Sequence, residues 1–436
     1  MDVDPAQPHI PGRSFSLADF GGHPDGITPN TIAFQDAIRA IDGNGGGTLN
    51  VRPGIYVTGP FALCSGMNLH LDPGATIVFS TAAGEGARGL LTASNVHDIM
   101  VSGAGTLFGS GDTWWHNVIE SKKTHSPIPQ RPYLVLFDTC QRVRIEGVTL
   151  THSPSYNLVP IRCSDVTISG ISIYNPADDS PETEGVDPEQ VRNHLLREYA
   201  DDAPNTDGID PLLCQRVLIT HCTIDTGDDD IAISSGRFKT GFSSDILITD
   251  CTFLHGHGCS IGSETRGEIR NVTVRRCLFR GTKVGIHLKS ARDRGGLVSH
   301  IVCSDLTMTH VGEAILITSQ YPKIDISIYF RPYLGKFAMD LADGGREEAQ
   351  QVTPETPHWE DLEFRKITAT CIWEAGLIQG LPEMPVDGIT LDRVSIEAPT
   401  GLHINYARHL TIRDLEVNVH KGASVIAGAG TEAVTH

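Results

Sequence analysis

No stretch of this 436-residue chain approaches the roughly 18 consecutive apolar residues of a membrane-spanning helix, so no such helix is expected. A basic excess is missing as well. Lys and Arg number 34 against 53 Asp and Glu, a formal charge of −19. That balance argues against a nucleic-acid partner, whose footprint is usually basic, and against a role at a membrane surface. The cysteines form no C-x-x-C pair and no Cys/His spacing suited to zinc, so no metal site is expected from them. The opening MDVDPAQPHIPGR has neither a basic nor an apolar leader region, so no secretory signal is visible and the compartment stays open. What the chain does have is a globular composition, 39% apolar and 20% charged. Its length alone suggests two or three domains, unless a regular repeat overrules that prior.

A repeat is present. From about residue 68 onward, alternating aliphatics, a polar or glycine break, and alternating aliphatics recur: QRVRIEGVTL (141–150), SDVTISGISI (164–173), QRVLITHCTI (215–224), SDILITDCTF (244–253), RNVTVRRCLF (270–279) and SHIVCSDLTM (299–308). Degraded copies follow as EDLEFRKITA, DGITLDRVSI and RHLTIRDLEV. Corresponding residues Val143, Val166, Val217, Ile246, Val272 and Ile301 are 23, 51, 29, 26 and 29 residues apart, the longest step being two coils or one coil with an insertion. Alternation means strand, and a period of this length means a solenoid. Two short strands cannot bury their apolar side alone, but coils stacked on one another can. The units lack i, i+3, i+4 spacing, which excludes a helical solenoid, and hairpin signals are too few for a sandwich. The expected fold is all-β: a single-domain right-handed parallel β-helix over 1–436, with a cap at about 14–48 and coils at about 49–420.

Within the cap, TPNTIAFQDAIRAIDGNGGG reads as a capping helix with Thr28 as N-cap, Pro29 at its first position, and a stop from Gly43. Ile32, Phe34, Ala37, Ile38 and Ile41 would form its apolar face. The Gly45–Gly47 run reads as a turn, because it precedes a strand and lacks the Lys-Ser/Thr of a phosphate loop. The acidic segment 176–203 breaks the repeat and reads as a surface insertion with one helix from Pro188 to Tyr199. Cysteines 140, 163, 214, 222, 251, 277 and 303 sit at or beside repeat positions and read as stacked interior or turn residues.

Four consecutive coils carry dense polar clusters: NTDGID (205–210), GDDDIAISSG (227–236), GHGCSIGSE (256–264) and GIHLKS (285–290). Asp207 to Asp228 is 21 residues, Asp229 to His257 is 28 and His257 to Lys289 is 32, each close to one coil. Residues one coil apart stack, so these groups should form one polar column. Read as strand residues, Asn205 with Asp207, and His287 with Lys289, would share a face. Asp228 and Asp229 both reach a cleft only if the chain bends, which Gly227 allows. Carboxylates gathered in one cleft cannot all ionise independently; one is kept protonated as an acid while another activates water. That is the equipment for glycosidic-bond hydrolysis, and Lys289 with a polar His257 suits an anionic sugar.

With these residues in hand, the sequence resembles glycoside hydrolase family 28, the polygalacturonases and relatives. FSLADFGGHPDGITPNTIAFQDAI, GGGTLNVRPGIYVTGPFAL, GTLFGSGDTWW, RPYLVLFDTC, HSPSYNLVP and GLIQGLPEMPVDGITLDRVSI follow the family order. The family's NTDG, DD, GHG and R-I-K motifs fall on Asn205–Gly208, Asp228–Asp229, Gly256–Gly258 and His287–Lys289. The resemblance implies a right-handed β-helix hydrolysing pectic poly- or oligosaccharide with inversion, without metal or organic cofactor. It implies Asp228 as the general acid, Asp207 and Asp229 activating water, and His257 supporting the acid. Asn205, Lys289 and Tyr321 would contact the sugar, and His287 would do so in place of the family's Arg. A pectic substrate points to an extracellular or periplasmic setting, with a cytoplasmic one open.

Three departures stand out: His287 where Arg is usual, Tyr156 and Val159 in place of Trp and His, and Asp230 as an extra acid. They leave galacturonate specificity at one subsite open, with Arg266, Arg292 and Arg294 as cations that could compensate. A family member cleaving rhamnogalacturonan or xylogalacturonan, a calcium-dependent lyase on the same scaffold, and a non-catalytic polysaccharide-binding solenoid are the alternatives. Exo or endo action and oligomeric state are not legible.

Overall fold

The computed structural model describes residues 2–175, 203–236, 241–321 and 348–432. The predicted insertion and its helix (176–203) lie outside the described residues except for Ala203, as do residues 237–240, after which comes the strand Phe242–Thr249. The described chain forms two compact units, one ending at Asp228 and the other beginning at Asp229.

Each unit is a stretch of right-handed parallel β-helix, as expected from the repeat. In the first, strands Gly47–Val51, Met67–Leu71, His97–Gly103, Gln141–Glu146, Ser164–Ser169 and Gln215–Thr220 pair in parallel, one per coil. A second face runs Gly54–Thr58, Ala75–Phe79, Thr106–Phe108, Thr149–Thr151, Ser172–Tyr174 and Thr223–Asp225. A third runs Phe61–Ala62, Gly89–Ser94, Tyr133–Asp138 and Leu158–Ile161. Alternation turns every second aliphatic of each strand inside, so Leu49, Leu69, Val101, Ile145, Ile168 and Ile219 stack as one buried column. Val166 pairs directly with Val217, so the long step in the repeat is one coil carrying an insertion.

The polar or glycine break in each repeat is a corner. Its residue often takes a left-handed conformation: Gly147, Gly170, His221, Asp250, Arg276, Asp305 and Lys366 all have positive φ. The second residue of each repeat copy does the same, from Asp98, Arg142, Asp165 and Arg216 to Asp245, Asn271, His300 and Asp361. Short polar side chains tolerate this region best. Their side chains then pair coil to coil. Arg142 grips Asp98 through two bonds of 2.7 and 2.8 Å, Arg216 grips Asp165 at 2.7 Å twice, and Asn271 donates to Asp245 at 2.9 Å. The chain start lies along these coils, with His9 N donating to Asp98 and Ala6 N to Asp165.

In the second unit the corners are softer. Leu297–Thr318 is one continuous strand that pairs successively with Glu268–Arg275, Leu278–Arg280 and Val284–Lys289. It is followed in parallel by His358–Gln379, Val386–Ala398 and Ala407–Val419. Glu313 and Glu374 are direct partners in this stack, 0% and 4% exposed.

The predicted helix is present but starts later, at Thr31–Gly43, with Asn30 as N-cap and Asn44 as C-cap. Residues 25–29 form a strand instead, because Asp25 accepts from the backbone of Ile27 and Thr28 and from the Thr28 hydroxyl, which is thereby lost as a cap. Phe34, Ala37, Ile38 and Ile41 are buried as expected, and Phe34 stacks on Phe61 at 4.5 Å. Ile32 points outward, 66% exposed, correcting its assignment to the apolar face. None of the ten cysteines, all of them among the described residues, forms a disulfide; those at the repeat positions are buried, with Cys140 N donating to Cys163 Sγ at 3.4 Å.

Candidate active site

The first unit carries Asn205, Asp207 and Asp228. Asn205 and Asp207 lie in a turn and not in a strand, so alternation does not set their direction; Asn205 takes a left-handed φ of 55°. The turn is pinned by buried Asn157, whose backbone and side-chain amides donate to Asp207 O at 2.8 and 3.0 Å. Thr206 ties it to the bend before Asp228 by accepting from Gly227 N at 2.9 Å. Gly227 is required there by crowding: a Cβ would stand 2.3 Å from Ala203 O and 3.0 Å from Thr206 Oγ1.

Asn205 Nδ2 donates to Asp228 Oδ2 at 3.2 Å. Behind it stands Arg131, which donates to Asn205 Oδ1 at 2.7 Å and to Pro154 O at 3.0 Å. Tyr156 stacks on Tyr133 at 5.2 Å. The negative field of Asp207, then burial, then Asp210 and Asp228 hold the Tyr156 hydroxyl well above its usual range. The carboxylates of this unit thus act together on one phenol. Arg131, Asn157 and the tyrosine pair were not singled out as site residues from sequence. Arg131 was visible only as part of RPYLVLFDTC and Tyr156 only as a departure.

The second unit carries Asp229, His257, His287, Lys289 and Tyr321. Asp229 is 4% exposed and both its oxygens accept: Oδ1 from Ser260 Oγ at 2.7 Å, Oδ2 from Lys289 Nζ at 2.6 Å. His257 Nδ1 stands 3.9 Å from Asp229 Oδ1. On its other side, the Lys283 ammonium lies 3.1 Å from His257 Nε2. Lysine only donates, so Nε2 accepts and Nδ1 keeps the proton. Lys283 is almost wholly buried and went unread in the sequence, where a lysine inside a coil looks like a surface charge.

His287 and Lys289 do share a face, meeting the Tyr321 ring at 6.1 and 5.3 Å. Burial first, then the Lys289 charge, push the His287 imidazole well below its usual range, so it is neutral. Asp230 has a structural job that the sequence did not reveal: fully buried, it accepts from Gly258 N at 3.0 Å and fixes the loop bearing His257. Gly258 sits at φ 83°, where a Cβ would be 1.9 Å from Val284 O. The three arginines considered as replacement cations are committed elsewhere. Arg292 pairs with Glu383 at 2.7 Å, Arg266 donates to Asp293 O at 3.1 Å, and Arg294 donates to Ser263 at 3.2 Å. In this unit Asp229 and His257 are the donors of interest for a metal, but an ammonium already occupies one Asp229 oxygen and a hydroxyl the other.

Comparison with known proteins gives the same direction. Residues 56–329, well over half of the chain, match Glycosyl hydrolases family 28. The chain is 28% identical over 414 residues to a probable polygalacturonase of Vitis vinifera, covering 88% of this chain and 74% of that protein. It is 28% identical over 341 residues to an endo-polygalacturonase of Pectobacterium carotovorum subsp. carotovorum, covering 72% of this chain and 71% of that one. A hyperthermoactive exopolygalacturonase from Thermotoga maritima superposes with a TM-score of 0.73 at 25% identity, covering 95% of this chain and 94% of that one.

Proposed function

Because the chain belongs to glycosyl hydrolases family 28, and is a glycoside hydrolase of the polygalacturonase type, we propose that it cleaves galacturonan-type pectic chains with inversion. Asp228 gives its proton to the leaving oxygen as the glycosidic C–O bond breaks. Water attacks the anomeric carbon from the opposite face and yields its proton to Asp207 or Asp229. Inversion calls for an acid and a base roughly 6.5–9.5 Å apart, with room for that water.

The observation that carries the reading is the difference between two consecutive aspartates. Asp229 is buried, with both oxygens accepting, one of them from an ammonium, which suits a base or water-orienting group. Asp228 is only partly buried and accepts from the neutral amide of Asn205, which suits a group that gains and loses a proton. Environments that separate two carboxyls in this way divide acid and base roles between them. Lys289 would bind the sugar carboxylate, Tyr321 would flank it, and His257 would support the aspartates. Pectic polymers are met outside the cell, so an extracellular or periplasmic setting follows from the proposed substrate; short oligomers would be met inside.

The neutral, buried His287 favours a second reading, in which the sugar at that position carries no carboxylate, as in another pectic linkage. Product analysis on homogalacturonan, xylogalacturonan and rhamnogalacturonan, with proton NMR of the newly released anomer, decides between the two. The inverted anomer from homogalacturonan is the expected result, and a retained anomer would end the single-displacement proposal. D228N should keep binding and fold while kcat falls at least about a thousandfold, since general acid catalysis contributes up to about 10⁴-fold. Wild-type rates in that variant would remove Asp228 from the acid role.

A further inference from the structure

The amide of Asn205 stands between a guanidinium and a carboxylate, and only one orientation satisfies both. Arg131 has no lone pair to offer, so the Asn205 atom facing its Nη2 at 2.7 Å must be the carbonyl oxygen. The NH₂ group is thereby aimed at Asp228 Oδ2, 3.2 Å away. Arg131 is itself immobilised: its other terminal nitrogen donates to Pro154 O at 3.0 Å and Pro204 O at 2.5 Å, which clamps the residue immediately before Asn205. Burial draws the Arg131 pKa below its usual value, and Tyr156, Asp207 and Asp228 oppose that shift.

We propose that Arg131 is a positioning residue that sets which oxygen of Asp228 carries the catalytic proton. With Oδ2 already accepting from Asn205, the proton of the acid form rests on Oδ1, and that oxygen delivers it to the leaving group. Two effects follow from one side chain. The relay orients the acid, and the guanidinium charge favours the ionised forms of Asp228 and Asp207, keeping the working pH range low. This inference rests on Asp228 being the general acid.

The test is the pH dependence of kcat/KM on a galacturonate oligomer for wild type, R131Q, R131K and N205D, with melting curves to establish folding. R131Q removes the charge and the fork. Both limbs of the bell should move upward, by about half a unit or more, as expected for two carboxyls losing a nearby cation. R131K keeps the charge but not the fork, so the bell should stay near its wild-type position while kcat falls about tenfold, a cost typical of a misplaced group. A purely structural role would lower the bell without moving it, and an unmoved bell in folded R131Q overturns the proposal. N205D is independent of any damage from truncating Arg131. It sets a like charge where the amide stood, and the alkaline limb, which reports the acid, should rise by about a unit; an unmoved limb overturns the relay. ¹³C-carboxyl titration of Asp228 in the resting protein separates the two readings. If the wild type does not hydrolyse galacturonan, the functional reading fails, while an Asp228 titration that shifts in R131Q and N205D still upholds the relay. No shift refutes it.

Discussion

Replacing Glu374 by Gln should change how the protein's stability depends on pH. Glu313 and Glu374 are partners in adjacent parallel strands and almost completely buried, and neither Glu313 oxygen has a hydrogen-bond partner among the described residues. Burial lifts the Glu374 pKa to about 8; burial first, then the Glu374 charge, lifts that of Glu313 well above the usual range. Cys371 is a titratable neighbour of both, and its thiol is pushed up chiefly by burial and then by the Glu313 charge. In the folded protein the pair is protonated near neutrality, while in the unfolded chain both acids are ionised. The folded state therefore holds more protons, so its stability is greatest below the unfolded pKa near 4.5 and falls as pH rises toward about 8.

Between pH 5 and pH 8 the Glu374 contribution falls by about three pKa units at about 1.4 kcal/mol each, or roughly 4 kcal/mol. With an unfolding entropy of about 2.1 cal/mol/K per residue over this chain, each kcal/mol shifts Tm by about 1 °C. E374Q should thus gain about 4 °C relative to wild type on going from pH 5 to pH 8. A constant offset from burying the amide cancels in this difference. Scanning calorimetry of both proteins across that range is the assay. Curves that stay parallel within about 1 °C would refute the protonated-pair argument.

Three further outcomes are expected. H287R should tighten a galacturonate-terminated ligand about tenfold, the gain of one charge-assisted fork, by calorimetric titration; unchanged affinity would mean that position 287 does not face the sugar carboxylate. K283M removes the donor that fixes the His257 tautomer, so ¹⁵N spectra should change from a pure Nδ1–H form to a mixture, with kcat down about tenfold and KM little altered; a pure Nδ1–H form in K283M would refute this. G227A forces a Cβ against Ala203 O and Thr206, displacing the turn that carries Asp207. Tm should fall by about 1–3 °C, on about 1–3 kcal/mol of overpacking, and kcat should collapse; a variant with normal kcat would show that the bend tolerates a side chain.

What could be read from the sequence divides along a physical line. The coil stack was legible because alternation and period are properties of the chain itself: the spacing of Val143, Val166 and Val217 is the same fact as their pairing in successive strands. Corner geometry was half legible. The break residue was visible, but the left-handed residue at the second place of each repeat copy was not, because Asp, Arg, Asn and His there look like ordinary surface residues until their coil-to-coil pairing is seen. The helix start was misplaced by the same kind of local competition: Thr28 is a good cap by type, but Asp25 uses its hydroxyl first.

The site shows why motifs found its chemistry yet missed its support. Asn205, Asp228, Asp229, His257 and Lys289 belong to short runs whose composition is anomalous for a coil, so they stood out. The groups that aim them do not. Arg131 lies 74 residues from Asn205 in sequence, and Lys283 lies 26 from His257. The first distance matches no coil spacing; the second is one coil long, but a lysine in a coil looks like a surface charge, so nothing marked it. Asp230 shows the converse. Composition placed it with the acids, but its hydrogen bond to Gly258 N spends that carboxylate on holding a loop. Acid count is therefore a poor measure of catalytic equipment; the partners that each oxygen meets bear on the role an aspartate can take. Under the proposed mechanism Asp228, held through an amide whose orientation Arg131 dictates, is the one that moves a proton.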